Sequence, residues 1–133
     1  METLSEYLSK HLSTIASTLN VDGIAVYQQD NELRLLSLVG FHGESPRETC
    51  PFGVTPLGEC AVSQEGIVRR VTGTHETKYH SYLYVPIGGE SEQVGVLVCA
   101  SSEGEFFDQP KHILDSKAFG AHLEKRWNIA KTA

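Results

Sequence analysis

The chain has 133 residues, of which 40% are hydrophobic and 21% charged, and its formal net charge at pH 7 is −6. This length and apolar content are those of a single soluble domain with its own core, so we expect one domain over residues 1–133. The acidic balance disfavours a nucleic-acid-binding surface, which needs clustered basic residues. No stretch approaches the roughly 20 apolar residues of a membrane span. No basic segment followed by an apolar run opens the sequence, so we also expect no signal peptide.

The three cysteines are Cys50, Cys60 and Cys99, an odd number with no Cys-x-x-Cys pair among them. This pattern favours reduced thiols over a disulfide framework. We therefore expect a cytoplasmic protein. Because Cys99 lies in an almost entirely apolar run, we expect it to be a packing residue.

The first 20 residues predict an amphipathic helix. Thr3 and Glu6 have the spacing of a capping box, in which each side chain bonds a free backbone N–H group. Apolar residues then recur at steps of three and four, at Leu4, Leu8, Leu12, Ile15 and Leu19. One face of this helix should therefore lie against a core.

A strand over Ile24–Tyr27, a turn at Asp30–Asn31 and a second strand over Leu33–Val39 predict a hairpin. The next segment, from Gly40 to Thr55, is rich in glycine and proline. We expect it to be a long loop, and long loops in compact domains tend to be functional or mobile.

A short helix over Leu57–Ser63 and a strand over Ile67–Val71 should follow, and then a polar loop over Thr72–His80. Two further strands are expected on either side of a Gly-rich acidic turn. The first runs from Ser81 and should end at Pro86, since proline cannot donate to a ladder. The second, over Gln93–Ser101, is apolar enough to be buried on both faces.

The last helix should begin with Asp108 as its N-cap, with Pro110 in the first turn. Its apolar and small residues follow a three-four spacing: Ile113, Ser116, Gly120, Leu123, Trp127 and Ala130. The small residues Gly120 and Ala121 predict the close approach of another helix. Strands flanked by terminal helices predict an α+β fold with an antiparallel sheet.

The order of four segments resembles the GAF domain family. The segments Val85–Ile87, Gln93–Leu97 and Phe106–Asp108 are similar to the family's closing strands and helix entry, and Pro56–Val68 is similar to an upstream helix and strand. The resemblance implies a central antiparallel sheet of five or six strands. It also implies terminal helices on one face, with loops and short helices over a small-molecule pocket on the other.

Cys50 and Cys60 are ten positions apart, a spacing similar to that of the free methionine-(R)-sulfoxide reductases, which are enzymes of GAF fold. In that branch the thiols reduce a sulfoxide and then form a disulfide. The resemblance also implies a further cysteine in the loop at Thr72–His80, where this chain has none. It implies acidic residues that hold the substrate amine where Tyr82, Val98 and Ala100 stand. We therefore expect no catalysis, with a reductase that uses Cys50 and Cys60 as the alternative.

The GAF resemblance places the strand at Ser81–Pro86 beside the pocket. Period two puts Tyr82 and Tyr84 on one face of that strand and Leu83 and Val85 on the other. We expect a ligand to bind between the two tyrosines and the two long loops. The further candidate ligand-binding residues are Cys60, His42, His75 and His80.

No histidine and cysteine spacing supports a metal ion, so we expect no metal, and the sequence identifies no cofactor. The resemblance implies a sensory domain that binds a small molecule or a partner and passes a conformational signal through its terminal helices. A dimerisation module with a collapsed pocket is a further alternative. The two apolar helix stripes predict a homodimer. Its contact residues would be Leu8, Leu12, Leu123 and Trp127.

Overall fold

The structure, a computed structural model, describes residues 3–43, 46, 48–53, 55–63, 67–70, 79–88 and 93–132. Of these, residues 56, 62, 63, 67, 69, 70 and 126–132 are described by their backbone only. The helices are α1 (Leu4–Leu19), α2 (Pro56–Ser63) and α3 (Pro110–Thr132), with a 3-10 turn at Phe106–Asp108. The strands are β1 (Gly23–Asp30), β2 (Leu35–His42), β3 (Thr49–Pro51), β4 (Ile67–Arg70), β5 (Ser81–Gly88) and β6 (Gln93–Ser101).

The strands form one six-stranded sheet in the order β3-β2-β1-β6-β5-β4. Every neighbouring pair is antiparallel. The predicted α+β architecture is therefore confirmed, including the number of strands. The central strand β6 is buried along most of its length, as its apolar run predicts.

The sheet has two covered faces with separate cores. On the helix face, α1 and α3 pack over the sheet. Its buried core includes Leu8, Leu12, Val26, Leu83, Val85, Leu97, Cys99, Phe107 and Leu123. The opposite face, which we call the cavity face, is covered by α2. Its buried core consists of Ala25, Tyr27, Leu36, Cys50, Leu57, Cys60, Ala61 and Val96.

The first helix begins at the predicted cap. The Glu6 backbone N–H donates to Thr3 Oγ1 over 3.1 Å, and the Thr3 hydroxyl donates to the Glu6 carboxylate over 3.1 Å. The helix ends at Asn20, which adopts the left-handed conformation with φ 59°. Every predicted apolar position of α1 packs against the core of the helix face, so the predicted amphipathic face is confirmed.

The leucines that we expected at a dimer interface are core residues of one copy. Leu8 and Leu123 are 0% exposed and Leu12 is 2% exposed. These three predicted contacts are wrong, because the helix face of the sheet is broad enough to bury both helix stripes. The side chain of Trp127 lies outside the described residues.

We expected Gly120 to allow the close approach of a second helix, and the structure shows a different contact. A Cβ at Gly120 would lie 3.4 Å from Val85 Cγ1, so the glycine brings α3 close to β5. Ala121 is exposed. Gly120 therefore packs between α3 and the sheet, and not between two helices.

Several elements differ from the sequence predictions. Strand β2 begins at Leu35, because the hairpin turn runs to Arg34, which has a positive φ of 53°. The segment predicted as a loop contains β3, whose residues pair with the start of β2. Helix α3 begins at Pro110, since Asp108 ends the 3-10 turn instead of capping the helix.

Strand β5 continues through Pro86 to Gly88, two residues beyond the predicted end. Its pairing with β4 covers only Ser81 to Tyr84, whereas its pairing with β6 runs along the whole strand. Pro86 therefore lies where β5 has no described β4 partner.

Candidate functional site

A cavity of about 200 Å³ lies on the cavity face of the sheet. We call it the tyrosine cavity. The described residues that line it are Ala25, Tyr27, Pro46, Cys50, Thr55, Leu57, Tyr82, Tyr84 and Val98. They come from β1, β3, β5, β6 and α2, from the segment between β2 and β3, and from the residues before α2, so distant parts of the sequence together form the cavity.

The floor of the cavity is a row of side chains across three strands. Val98 of β6 is in register with Ala25 of β1 on one side and with Tyr84 of β5 on the other. Because successive side chains in a strand alternate between faces, Tyr82 and Tyr84 point to the cavity face while Leu83 and Val85 point into the other core. Alanine at the β1 end of this row leaves space that a larger residue would fill.

The tyrosines stand in a fixed arrangement. The ring centroids of Tyr82 and Tyr84 are 6.1 Å apart with an angle of 18° between the ring planes. The edge of Tyr79 meets Tyr82 at a centroid distance of 6.1 Å. The Tyr79 hydroxyl lies so close to Gly23 and Gly43 that a Cβ at either glycine would collide with it. Tyr79 is therefore locked in place and supports Tyr82 from the side.

The opposite wall is formed where β3 leads into α2. Cys50 Sγ lies 3.0 Å from Thr55 Oγ1. The Gly58 N–H donates to the same hydroxyl oxygen over 3.2 Å, and the Glu59 N–H donates to the Thr55 carbonyl over 2.7 Å. Thr55 thus satisfies two backbone donors at the start of α2. It also holds Cys50 at the cavity wall.

The three thiols have different positions. Cys50 is a buried residue of β3 and not a loop thiol, and it lines the cavity. Cys60 is buried in the same core but is not among the lining residues, and burial raises the pKa of its thiol to about 12. Cys99 is buried on the helix face. Burial raises the pKa of Cys99 to about 12 against the opposing effect of a hydrogen bond with Ser116.

Two of the three predicted histidine donors are described, and neither is among the residues that line the tyrosine cavity. His42 is exposed at the end of β2, and His80 is exposed immediately before β5. His75 lies outside the described residues. Among the residues that the structure describes, no group of three or more His, Cys, Asp or Glu side chains could hold a metal ion.

Of the predicted site residues, the structure brings Tyr82 and Tyr84 together at the cavity. Sequence reasoning missed much of the remaining lining, including Ala25, Tyr27 and Val98. The alternation of side chains along β1 and β6 could have indicated which residues share a face. Only the pairing of β1 with β6 places Ala25 beside Val98. The pairing partners were not known from one sequence.

Comparisons with solved structures identify the fold. The GAF domain of an Acinetobacter phosphoenolpyruvate-protein phosphotransferase is 20% identical, with a TM-score of 0.82 and coverage of 98% of this chain and 85% of that chain. The corresponding domain from Coxiella burnetii is 18% identical, with a TM-score of 0.83 and coverage of 99% and 86%. The chain has the GAF fold.

A GAF-fold enzyme is also among the similar structures. The free methionine-R-sulfoxide reductase from Neisseria meningitidis, solved in complex with its substrate, is 19% identical, with a TM-score of 0.82 and coverage of 97% of this chain and 80% of that chain. No protein-family model and no curated protein matches the sequence. None of the described helices is long and apolar enough to cross a membrane.

Proposed function

We propose that this GAF-fold chain is a sensory or regulatory domain that binds a small molecule in the tyrosine cavity. The observation that carries the proposal is the cavity itself. About 200 Å³ stays open between the sheet and α2, with Tyr82 and Tyr84 among the lining residues. Ligand sites in proteins are typically concave, mostly apolar and furnished with a few polar groups. The open volume argues against the alternative of a module whose pocket has collapsed.

Strand β5 is the element through which a bound ligand would influence the terminal helices. Its cavity face carries Tyr82 and Tyr84, and its other face carries Leu83 and Val85 in one core with Leu123 of α3. Val85 also lies against Gly120 of α3. A displacement of β5 by ligand therefore shifts the surface on which α3 packs, since packed cores transmit strain.

Native mass spectrometry of freshly purified protein tests the proposal. We expect an added mass from a co-purified small molecule, released on denaturation. A Val98→Phe variant fills the floor of the cavity and should lose that mass. A Val39→Phe variant is the matched control, because Val39 is half-buried but packs on the helix face. Equal added mass in both variants would place the ligand elsewhere.

The alternative function is reduction of free methionine sulfoxide, and the observation that favours it is Cys50 at the cavity wall. Two observations favour the non-enzymatic proposal. The high pKa of Cys60 keeps its thiol protonated, whereas the attacking species in sulfoxide or disulfide chemistry is the thiolate. The described lining also contains no acidic side chain that could hold the substrate's amine.

We further propose a cytoplasmic location, because none of the three cysteines forms a disulfide. The proposed homodimer through α1 and α3 would have to use the outer surfaces of these helices, since their leucine stripes are buried in one copy. Light scattering at high protein concentration tests it, and a strictly monomeric mass contradicts it.

A further inference from the structure

The chemistry of the cavity lining restricts the ligand, provided that the proposed binding function holds. Every described lining residue is uncharged. Cys50 and Thr55 supply polar atoms at the wall, and the tyrosines contribute apolar rings with polar tips. Moving an ionised carboxylate or ammonium group from water into such surroundings without a partner costs several kcal/mol. A ligand with a formal charge finds no charged partner among the described lining residues and is therefore disfavoured.

The volume restricts the ligand further. Pockets for drug-sized ligands span roughly 300–1,000 Å³, whereas this cavity has about 200 Å³. An apolar cavity of about 150 Å³ holds one benzene molecule. The tyrosine cavity thus has room for one ring or a small fused pair of rings.

The wall offers a restricted set of hydrogen bonds. One acceptor position of Thr55 Oγ1 is taken by the Gly58 N–H. Between Thr55 and Cys50, either group can donate to the other over 3.0 Å. When the Cys50 thiol donates to the Pro51 carbonyl, 3.5 Å away, the Thr55 hydroxyl donates to Sγ. When the thiol donates to Thr55 Oγ1 instead, the Thr55 hydroxyl proton is available to an acceptor atom of a ligand. A neutral ligand with one carbonyl or hydroxyl oxygen matches this wall.

The parallel rings of Tyr82 and Tyr84 favour an aromatic partner, since aromatic pairs gain about 0.5–1.5 kcal/mol beyond the area that they bury. We infer that the ligand of the tyrosine cavity is a small uncharged aromatic molecule of one or two rings, held against Tyr82 and Tyr84 with its polar atom toward Thr55.

A pair of probes that differ only in charge tests this inference. Benzamide and benzoate have nearly the same shape, but only benzoate is ionised at pH 7. We titrate both, together with indole and the zwitterion methionine sulfoxide, by ligand-observed NMR against wild-type protein and the Val98→Phe and Val39→Phe variants. We expect benzamide or indole to bind at least about tenfold more tightly than benzoate. A tenfold ratio of dissociation constants corresponds to about 1.4 kcal/mol of binding free energy. Val98→Phe should remove this binding and Val39→Phe should retain it.

The remaining outcomes distinguish the inference about ligand charge from the proposed ligand-binding function. If benzoate or methionine sulfoxide binds as tightly as the neutral probes, and Val98→Phe removes that binding, the inference about charge is overturned while the proposed ligand-binding function stands. If no probe binds, or if Val98→Phe binds every probe as wild type does, both the inference and the proposed location of the site are overturned.

Discussion

Two glycines in helices should respond to the same substitution with opposite signs. Replacing glycine with alanine inside a helix gains up to about 1 kcal/mol of helix propensity. At Gly120 the new Cβ would lie 3.4 Å from Val85 Cγ1, an ordinary contact with a side chain. We therefore expect Gly120→Ala to raise the free energy of unfolding by about 0.5–1 kcal/mol.

At Gly58 the new Cβ would collide with the backbone oxygen of Pro51 and would lie 2.8 Å from the backbone nitrogen of Gly53. Neither atom is the end of a flexible side chain, so α2 must move away from β3. Overpacking of this kind costs about 1–3 kcal/mol, which exceeds the gain in propensity. We expect Gly58→Ala to lower the free energy of unfolding and to widen the cavity between Cys50 and Leu57.

Urea denaturation followed by far-ultraviolet circular dichroism measures both variants. The difference between them should be at least about 1 kcal/mol, with Gly58→Ala the less stable. Equal stabilities, or a stabilising Gly58→Ala, would refute the close packing of α2 on the β3 turn. Because that packing shapes the cavity wall, the described cavity geometry would be refuted with it.

Three further changes test the cores and the thiols. Leu123→Ala should lower the free energy of unfolding by about 2–5 kcal/mol. Leu114→Ala, at a position 65% exposed on the same helix, should change it by at most about 0.5 kcal/mol. Equal losses in urea denaturation would contradict the assignment of Leu123 to the core. As pH rises from about 9 to about 12, the free energy of unfolding should fall, because thiols of the unfolded chain ionise near 9.0 while folded Cys60 and Cys99 keep their protons to about 12. A Cys60→Ala, Cys99→Ala variant should show a shallower fall, and an unchanged slope would contradict the burial of these thiols. Free methionine sulfoxide with a thioredoxin system should give no turnover above a no-protein control, and turnover that Cys50→Ser abolishes would favour the reductase.

The sequence predicted the elements whose signals are local and periodic. The apolar stripe of α1 and the alternation in β5 each follow one simple period, and the structure confirms both. Strand β3 could not be predicted, because it has only three residues, Thr49–Pro51, and its order depends on pairing with β2. The predicted end of β5 at Pro86 was wrong for a related reason. Whether a strand tolerates proline depends on how far its neighbour extends, which one sequence does not reveal.

The candidate site was predictable only in part. Tyr82 and Tyr84 followed from strand period and from the GAF resemblance, so they reached the correct face. Val98 lines the cavity because two neighbouring strands place Ala25 and Tyr84 beside it. Contacts of that kind depend on strand order, which the periodicity of a single strand does not contain. The prediction of the histidines depended on their positions in two predicted loops, and membership of a loop does not determine which side chains line a cavity.

The central claim is that the tyrosine cavity is open to a small molecule. The most direct measurement is a crystal structure of this protein soaked with a mixture of small organic fragments. We expect electron density for at least one fragment between Tyr84, Val98 and Leu57 in wild-type crystals and none there in Val98→Phe crystals. Fragments bound only outside this cavity, or side chains that fill it in the unsoaked crystal, would show that the cavity is not a binding site.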